Sequence, residues 1–173
     1  FLLSLNMKGE ILPFSAVYMQ RIAQLTNKSN QFNLTTRRYT VEEMAERAAS
    51  DEYITLTGRL EDRFGDNGLV SVVIGKNEGN GALGIELWIM SCRVLRRELE
   101  QAMLDMLVEA AREKGYTKLI GRYFKTAKNA MVRDFYSTMG FELVGEDGDD
   151  RTFEYAIPDD YKIKTEHIEI IKD

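Results

Sequence analysis

The sequence predicts a mixed α/β sheet, mostly antiparallel, with helices on both sides. Two strand–helix units and one hairpin carry that reading. From Leu83 to Val94 the chain runs LGIELWIMSCRV, too apolar for a strand that faces water on one side. Behind it Leu99, Ala102, Met103, Met106, Leu107 and Ala110 recur at the spacing that paints one face of a helix. Gly115 stops this helix, and Arg112 and Lys114 stand in its last turn, where cations suit the dipole. The second unit is a strand from Lys118 to Tyr123. It leads through Thr126 into a helix with Met131, Val132, Phe135, Tyr136 and Met139 on one side. Gly140 closes that helix, and Phe141 to Val144 open another strand. The hairpin joins YITLTGRLEDRF to GLVSVVIGK through Asp66-Asn67-Gly68, a strong turn signal.

The remaining elements follow in order. The first dozen residues read as linker or packing remnant ending near Pro13, and Phe14, Val17, Tyr18, Ile22 and Leu25 then suggest a helix. NLTTRRYT is β-prone. Thr40 with Glu43 forms a capping-box pattern for the short helix VEEMAERAAS. NEGNG is a turn into the central strand, and the acidic GEDGDD loop precedes a final antiparallel strand, RTFEYAI. The tail YKIKTEHIEIIKD packs as a strand or frays.

Composition narrows the function. At 173 residues the chain suits one domain, and 44% hydrophobic residues can fill its core. A net charge of -5 disfavours nonspecific binding to nucleic acid or an anionic membrane. No apolar run approaches a membrane span. A single cysteine rules out an internal disulfide framework and fits a reducing, cytoplasmic setting.

A strand feeding a helix aims the free N–H groups of the first turn at whatever lies above the sheet, which suits an anion. The order strand, helix, strand, with Asn129, Tyr136, Gly140 and Phe141 in N-x-x-x-x-x-x-Y-x-x-x-G-F, resembles the GNAT acyltransferases. That resemblance implies a splayed parallel strand pair, Leu83–Val94 beside Lys118–Tyr123, whose cleft seats the pantetheine of acetyl-CoA. It implies Tyr136 as the acid for the leaving thiolate, and Asn129 as a partner of the pantetheine amides. Backbone N–H groups of Ser91, Cys92, Arg93 and Val94 would polarise the thioester carbonyl. Tyr136 and Phe141 also suit an ordinary aromatic core.

The cradle departs from the Q/R-x-x-G-x-G/A of that superfamily. Leu95 falls at the Gln/Arg position, and Glu98 and Glu100 fall where glycines are expected. Arg93, Arg96 and Arg97 offset the charge of these carboxylates but not their bulk. Free coenzyme A is therefore expected to bind weakly, whereas a phosphopantetheine arm, with no pyrophosphate, would suffer less.

A closer resemblance covers nearly the whole chain. FLLSLNMKGEILP, RIAQLTNKSNQFNLTTRRYT and WIMSCRVLRRELEQAML resemble the carboxy-terminal part of FkbH-like proteins, in which a HAD-type region precedes a GNAT-like domain. It implies residues 1–30 as a linker and amino-terminal helix joining a HAD region, 31–160 as the GNAT-like domain, and 161–173 as a tail. The implied partners are an acyl carrier protein or a small-molecule acceptor, together with the HAD domain of the parent chain. The implied setting is polyketide, secondary-metabolite or polysaccharide assembly. A noncatalytic module that docks a carrier protein, or positions it against the HAD region, fits the same resemblance.

Other chemical candidates are sparse. Cys92 is a nucleophile only with a lowered pKa, and it reads better as a buried structural cysteine. His167, the lone histidine, reads as a surface residue of the tail. Glu86, Glu98 and Glu142 are formal candidates for a base, against the commoner reading of solvated carboxylates. The Asn27–Arg38 segment suits either a substrate groove or a loop that docks a neighbouring domain. No His, Cys and Asp cluster at ligand spacing suggests a metal.

Overall fold

The computed structural model describes residues 1–171. Its strands are β1 Met7–Leu12, β2 Tyr53–Asp62, β3 Gly65–Gly79, β4 Ala82–Met90, β5 Lys118–Tyr123, β6 Glu142–Asp147, β7 Asp150–Ala156 and β8 Ile168–Ile171. Its helices are α1 Met19–Lys28, α2 Val41–Ala49, α3 Leu99–Glu113 and α4 Phe135–Thr138. The strands form one sheet in the order β6-β7-β5-β4-β3-β2-β1-β8. Pairing is antiparallel except at β4/β5 and β1/β8. The mixed α/β class expected from sequence is the one observed.

Each face of the sheet has its own core. On one, Met19, Ile22 and Ala23 of α1 and Met44 of α2 pack on Val72, Ile74, Leu87 and Ile89. On the other, Leu99, Ala102, Met103 and Leu107 of α3 join Trp88, Met90, Leu119 and the aromatic residues around α4. Local chemistry sets the element ends. The Thr40 hydroxyl accepts from the Glu43 amide, and the Glu43 carboxylate accepts from the Thr40 amide, completing the capping box. Asn80 and Gly81 both take positive φ (55° and 77°), which matches the right-handed twist of the β3–β4 hairpin.

Several local expectations change. The opening stretch, read as linker or packing remnant, supplies a strand, β1, which lies inside the sheet between β2 and β8, with Met7 and Ile11 buried. Six residues of alternation are too short a signal to stand out. The β2–β3 turn falls at Arg63–Phe64, because the Asp62 carboxylate accepts from the Phe64 amide at 2.8 Å. Asp66-Asn67-Gly68 lies within β3 instead. The central strand stops at Met90, and Cys92–Val94 forms a 3₁₀ turn. The second helix is short, since Asp134 leaves helical geometry (φ -103°, ψ 12°) between a 3₁₀ turn at Ala130–Val132 and α4. NLTTRRYT makes only an isolated bridge, Asn33 with Ile89. The acidic loop is a tight β6–β7 hairpin, and the tail adds β8 beside β1.

Candidate active site

Strands β4 and β5 are hydrogen-bonded only where Ala82–Ile85 face Lys118–Gly121, and beyond that point they part. A bulge accounts for the parting. Ile74 opposes Leu87 and Gly75 opposes Ile85, so Glu86 is the extra residue on β4. Ile85, Trp88 and Met90 lie on the α3 side, whereas Leu87 and Ile89 lie on the α1/α2 side. A bulge bends its strand, sharpens the twist and re-aims a side chain. Here it opens the centre of the sheet and delivers a carboxylate to the α1/α2 face.

That carboxylate is buried and closely held. Tyr39 donates its hydroxyl to Glu86 at 2.9 Å, Arg47 donates Nε at 2.7 Å, and Arg37 stands 3.5 Å away. Burial, and then the adjacent carboxylate, push the Tyr39 phenol well above its ordinary value. The Thr35 hydroxyl donates to the Glu86 carbonyl at 2.8 Å. A cavity of about 250 Å³ opens beside these groups, lined by Thr35, Arg37, Glu86, Arg122 and Phe124 among others. Across it Arg122 grips Glu78 in a bidentate pair of 2.5 and 2.7 Å, which holds the Glu78 carboxyl below its usual range.

Between the parted strands lies the chain's own segment Phe32–Thr35. The Leu34 amide donates to the Trp88 carbonyl at 3.3 Å, the Met90 amide to Phe32 at 3.2 Å, and the Phe124 amide to Leu34 at 2.9 Å. Asn129 donates to the carbonyls of Asn33 (3.0 Å) and Phe124 (2.9 Å), while its oxygen accepts from the Thr126 amide and the Tyr123 hydroxyl. Asn33, Leu34 and Asn129 have no exposed surface. The side-chain amide assigned to pantetheine thus binds protein backbone here.

Tyr136 sits in an aromatic cluster with Trp88, Phe135, Phe141 and Phe153. It is fully buried, its hydroxyl meets no hydrogen-bond partner among the described residues, and burial drives its pKa far upward. Trp88 Nε1 is buried and unpartnered in the same cluster. Phe32 of the intervening segment stacks edge-on against Phe135, with ring centroids 5.0 Å apart.

The loop after β4 spends its amides internally. Ser91 N–H goes to the Val70 carbonyl, Arg93 N–H to Ser91 Oγ, and Val94 N–H to the Ser91 carbonyl. Arg97 pairs with Asp62, while Arg93 and Arg96 remain exposed. Arg96 (φ 62°) and Glu98 (φ 71°) are left-handed, so the backbone keeps a glycine-like conformation at Glu98 without a glycine. Glu100 accepts from the Arg96 amide at 3.1 Å, and Glu98 accepts from the amides of Glu166 and His167, both at 2.9 Å. The carboxylates at these two positions are therefore bonded within the protein. Burial raises the Glu98 carboxyl, and its bonds to His167 and the two amides more than offset this, leaving it below its ordinary value.

Cys92 is a correction: it is exposed, not buried, because β4 ends before it, and its thiol donates to Gln31 at 3.1 Å. It borders a hollow of about 580 Å³ lined by Lys28, Gln31, Phe32, Met90, Cys92 and Lys128 among others. His167 is half-buried and paired with Glu98. Glu98, Glu166 and His167 each place a ligand atom within 4.8 Å of the others, a set that linear spacing hides, although both Glu98 oxygens are already bonded within the protein. Glu142 is exposed on the edge strand β6. Glu86 is the residue that sequence reasoning underrated. Its signal was a lone charge inside the apolar run GIELWIM.

No family model and no curated protein matches the sequence. Solved structures do match the fold. A GNAT-family acetyltransferase from Staphylococcus aureus superposes with a TM-score of 0.66 at 10% identity, covering 87% of this chain and 99% of that one. The ribosomal-protein-S18-alanine N-acetyltransferase from Escherichia coli gives 0.62 at 12% identity, over 89% and 99%. The PaiA N-acetyltransferase from Thermoplasma acidophilum, solved in complex with coenzyme A, gives 0.60 at 14%, over 86% and 99%. The chain has the GNAT acetyltransferase fold. Among the described residues no helix is long and apolar enough to cross a membrane.

Proposed function

We propose that this chain is an acyltransferase domain of GNAT type that moves an acyl group from a thioester to an amine. One observation carries the reading: the bulge at Glu86 sets a buried carboxylate at the root of the splayed β4/β5 pair, beside a cavity. In the reaction the amine nitrogen attacks the thioester carbonyl, forming the C–N bond as the C–S bond breaks. Glu86 takes the amine proton and Tyr136 gives one to the thiolate, so the net transfer runs from amine to thiol. The Met90 N–H, on the edge of β4 that faces the splay, polarises the carbonyl. It takes the role expected of the Ser91–Val94 amides, most of which are spent locally.

The donor is a phosphopantetheine thioester on an acyl carrier protein, in preference to free acetyl-CoA. The engaged carboxylates of Glu98 and Glu100, where glycines would cradle a pyrophosphate, support that preference. The wider setting proposed is an FkbH-like cytoplasmic protein with a HAD domain. It rests on the sequence stretches around Asn27–Arg38 and Trp88–Leu104.

One observation favours a second reading, a noncatalytic module that docks the carrier protein: the segment Phe32–Thr35 fills the splay. A transfer assay with an acyl carrier protein and with acetyl-CoA, read by mass spectrometry of the acylated amine, separates the two. Acylation that Glu86→Gln abolishes supports the enzyme. Carrier binding without acylation from either donor supports the module.

A further inference from the structure

We infer that Phe32–Thr35 is an internal occupant of the donor cleft, displaced when the thioester binds, and that its departure unlocks Glu86. This rests on the acyltransferase reading and adds to it a coupling between donor binding and base release. The segment lies between two hollows. Phe32 lines the one of about 580 Å³ that also touches Met90 and Cys92, and Thr35 lines the one of about 250 Å³ that also touches Glu86 and Phe124. Asn33 and Leu34, which have no exposed surface, join Phe32 to Thr35 and line neither hollow. With the segment withdrawn, the hollows would join along β4, with the donor side at Cys92 and the acceptor side at Glu86.

The bonds made by the segment are those an extended amide-bearing arm would make. Leu34 donates to β4 at the Trp88 carbonyl, and the Phe32 carbonyl accepts from Met90. The Asn33 carbonyl accepts from Asn129. A pantetheine arm, with amide donors and carbonyl acceptors along its length, can replace this set. The aromatic wall beside the segment is also incompletely satisfied. Tyr136 Oη and Trp88 Nε1 are buried donors without partners among the described residues, in a cluster that Phe32 contacts through Phe135. Buried donors are rarely left so. The present occupant, whose Phe32 and Asn33 carbonyls are taken by Met90 and Asn129, leaves them unpaired, whereas a thioester brings further acceptor atoms.

The same stretch cages the base. Thr35 holds the Glu86 carbonyl, and Arg37 and Tyr39 hold its carboxylate. Moving residues 32–35 pulls on Thr35 and Arg37, whose guanidinium is the longest of the Glu86 contacts. Loosening these contacts, with the Arg47 pair from α2 left in place on Oε1, frees Oε2 for an amine only when donor is present, which suppresses proton transfer in the empty site.

The test uses the whole chain and S-acetyl-4′-phosphopantetheine as probe, with amide hydrogen exchange read at Leu34. On saturation the Leu34 amide is expected to exchange at least about tenfold faster, because its bond to Trp88 is surrendered, while the Met90 amide stays protected by the probe's carbonyl. Leu34→Ala, which removes a buried anchor of the segment, is expected to lower the probe's Kd by about tenfold. If that variant does not fold, exchange on the unaltered protein decides alone. Binding of the probe with Leu34 still protected overturns the displacement and leaves the acyltransferase reading standing. Failure of the folded protein to bind the probe overturns the displacement, whereas release of Leu34 with no acylated amine from either donor overturns the acyltransferase reading and, with it, the role of Glu86 as a base.

Discussion

Asn129 reaches across the sheet to hold the main-chain carbonyl of Asn33 at 3.0 Å, tying the loop after β5 to the segment that fills the cleft. Four hydrogen bonds converge on this one side chain, two of them buried and two part-buried. Asn129→Ala strands the carbonyls of Asn33 and Phe124 and the amide of Thr126. At roughly 1–3 kcal/mol for each buried group left unsatisfied, with partial relaxation, a loss of about 2–4 kcal/mol in unfolding free energy is expected. Urea titration with an unchanged m-value is the check.

Glu86→Gln keeps the shape of the side chain and removes the base. Turnover is expected to fall by about 10²–10⁴-fold, with donor affinity little changed. Stability should fall as well, since Arg47 is left without its charged partner in a mostly buried position. Equal turnover in both proteins would remove Glu86 from the mechanism.

Tyr136→Phe separates chemistry from folding. The hydroxyl has no partner among the described residues, so its removal is expected to leave stability unchanged within about 1 kcal/mol, or to raise it. Turnover is expected to drop by about 10²–10⁴-fold at constant donor affinity if the phenol protonates the thiolate. Unchanged turnover would leave Tyr136 as an aromatic of the core alone.

Gly121→Ala tests how tightly that core is built. A Cβ there would stand 2.7 Å from the Tyr136 ring, which neighbouring aromatics hold in place. Overpacking of this kind costs about 1–3 kcal/mol, seen as a lower Tm. It should also push Tyr136 away from β5 and slow transfer.

Acid should loosen the tail. The folded-state pKa of Glu98 lies below its ordinary 4.5, so the carboxylate contributes stability above about pH 4.5. That contribution is lost as pH falls through the lowered folded value. Asp62 and Glu78 act in the same direction. Between about pH 6 and about pH 3, Tm should therefore fall less steeply in Glu98→Gln than in the unaltered protein. Exchange at Glu166 and His167, whose amides Glu98 holds, reports the local release.

Hydrophobic periodicity and helix capping determined the main elements, whereas the turn signal at Asp66-Asn67-Gly68 fell inside β3. The apolar run before α3, the stripe on α3 and the capping box at Thr40 are local signals, and local signals survive into the fold. Asn129 and Tyr136 were legible as residues to watch only through the resemblance to GNAT acyltransferases that their spacing to Gly140 and Phe141 carries. Their surroundings were decided by tertiary structure. Asn129 meets Asn33 from far along the chain, and Tyr136 is sealed by residues from β4, α4 and β7. Nothing in GIELWIM announces that Glu86 is a bulge, because a bulge exists only in the register between two strands, here Gly75 against Ile85 and Ile74 against Leu87. Likewise NLTTRR is β-prone by composition, but its place in the cleft depends on β4 and β5 having parted. Glu98 looked like an obstacle to phosphate. The fold makes it an anchor, because the β1/β8 pairing brings His167 to the start of α3. Contacts of this kind join residues with no sequence spacing in common, so only the folded chain decides them.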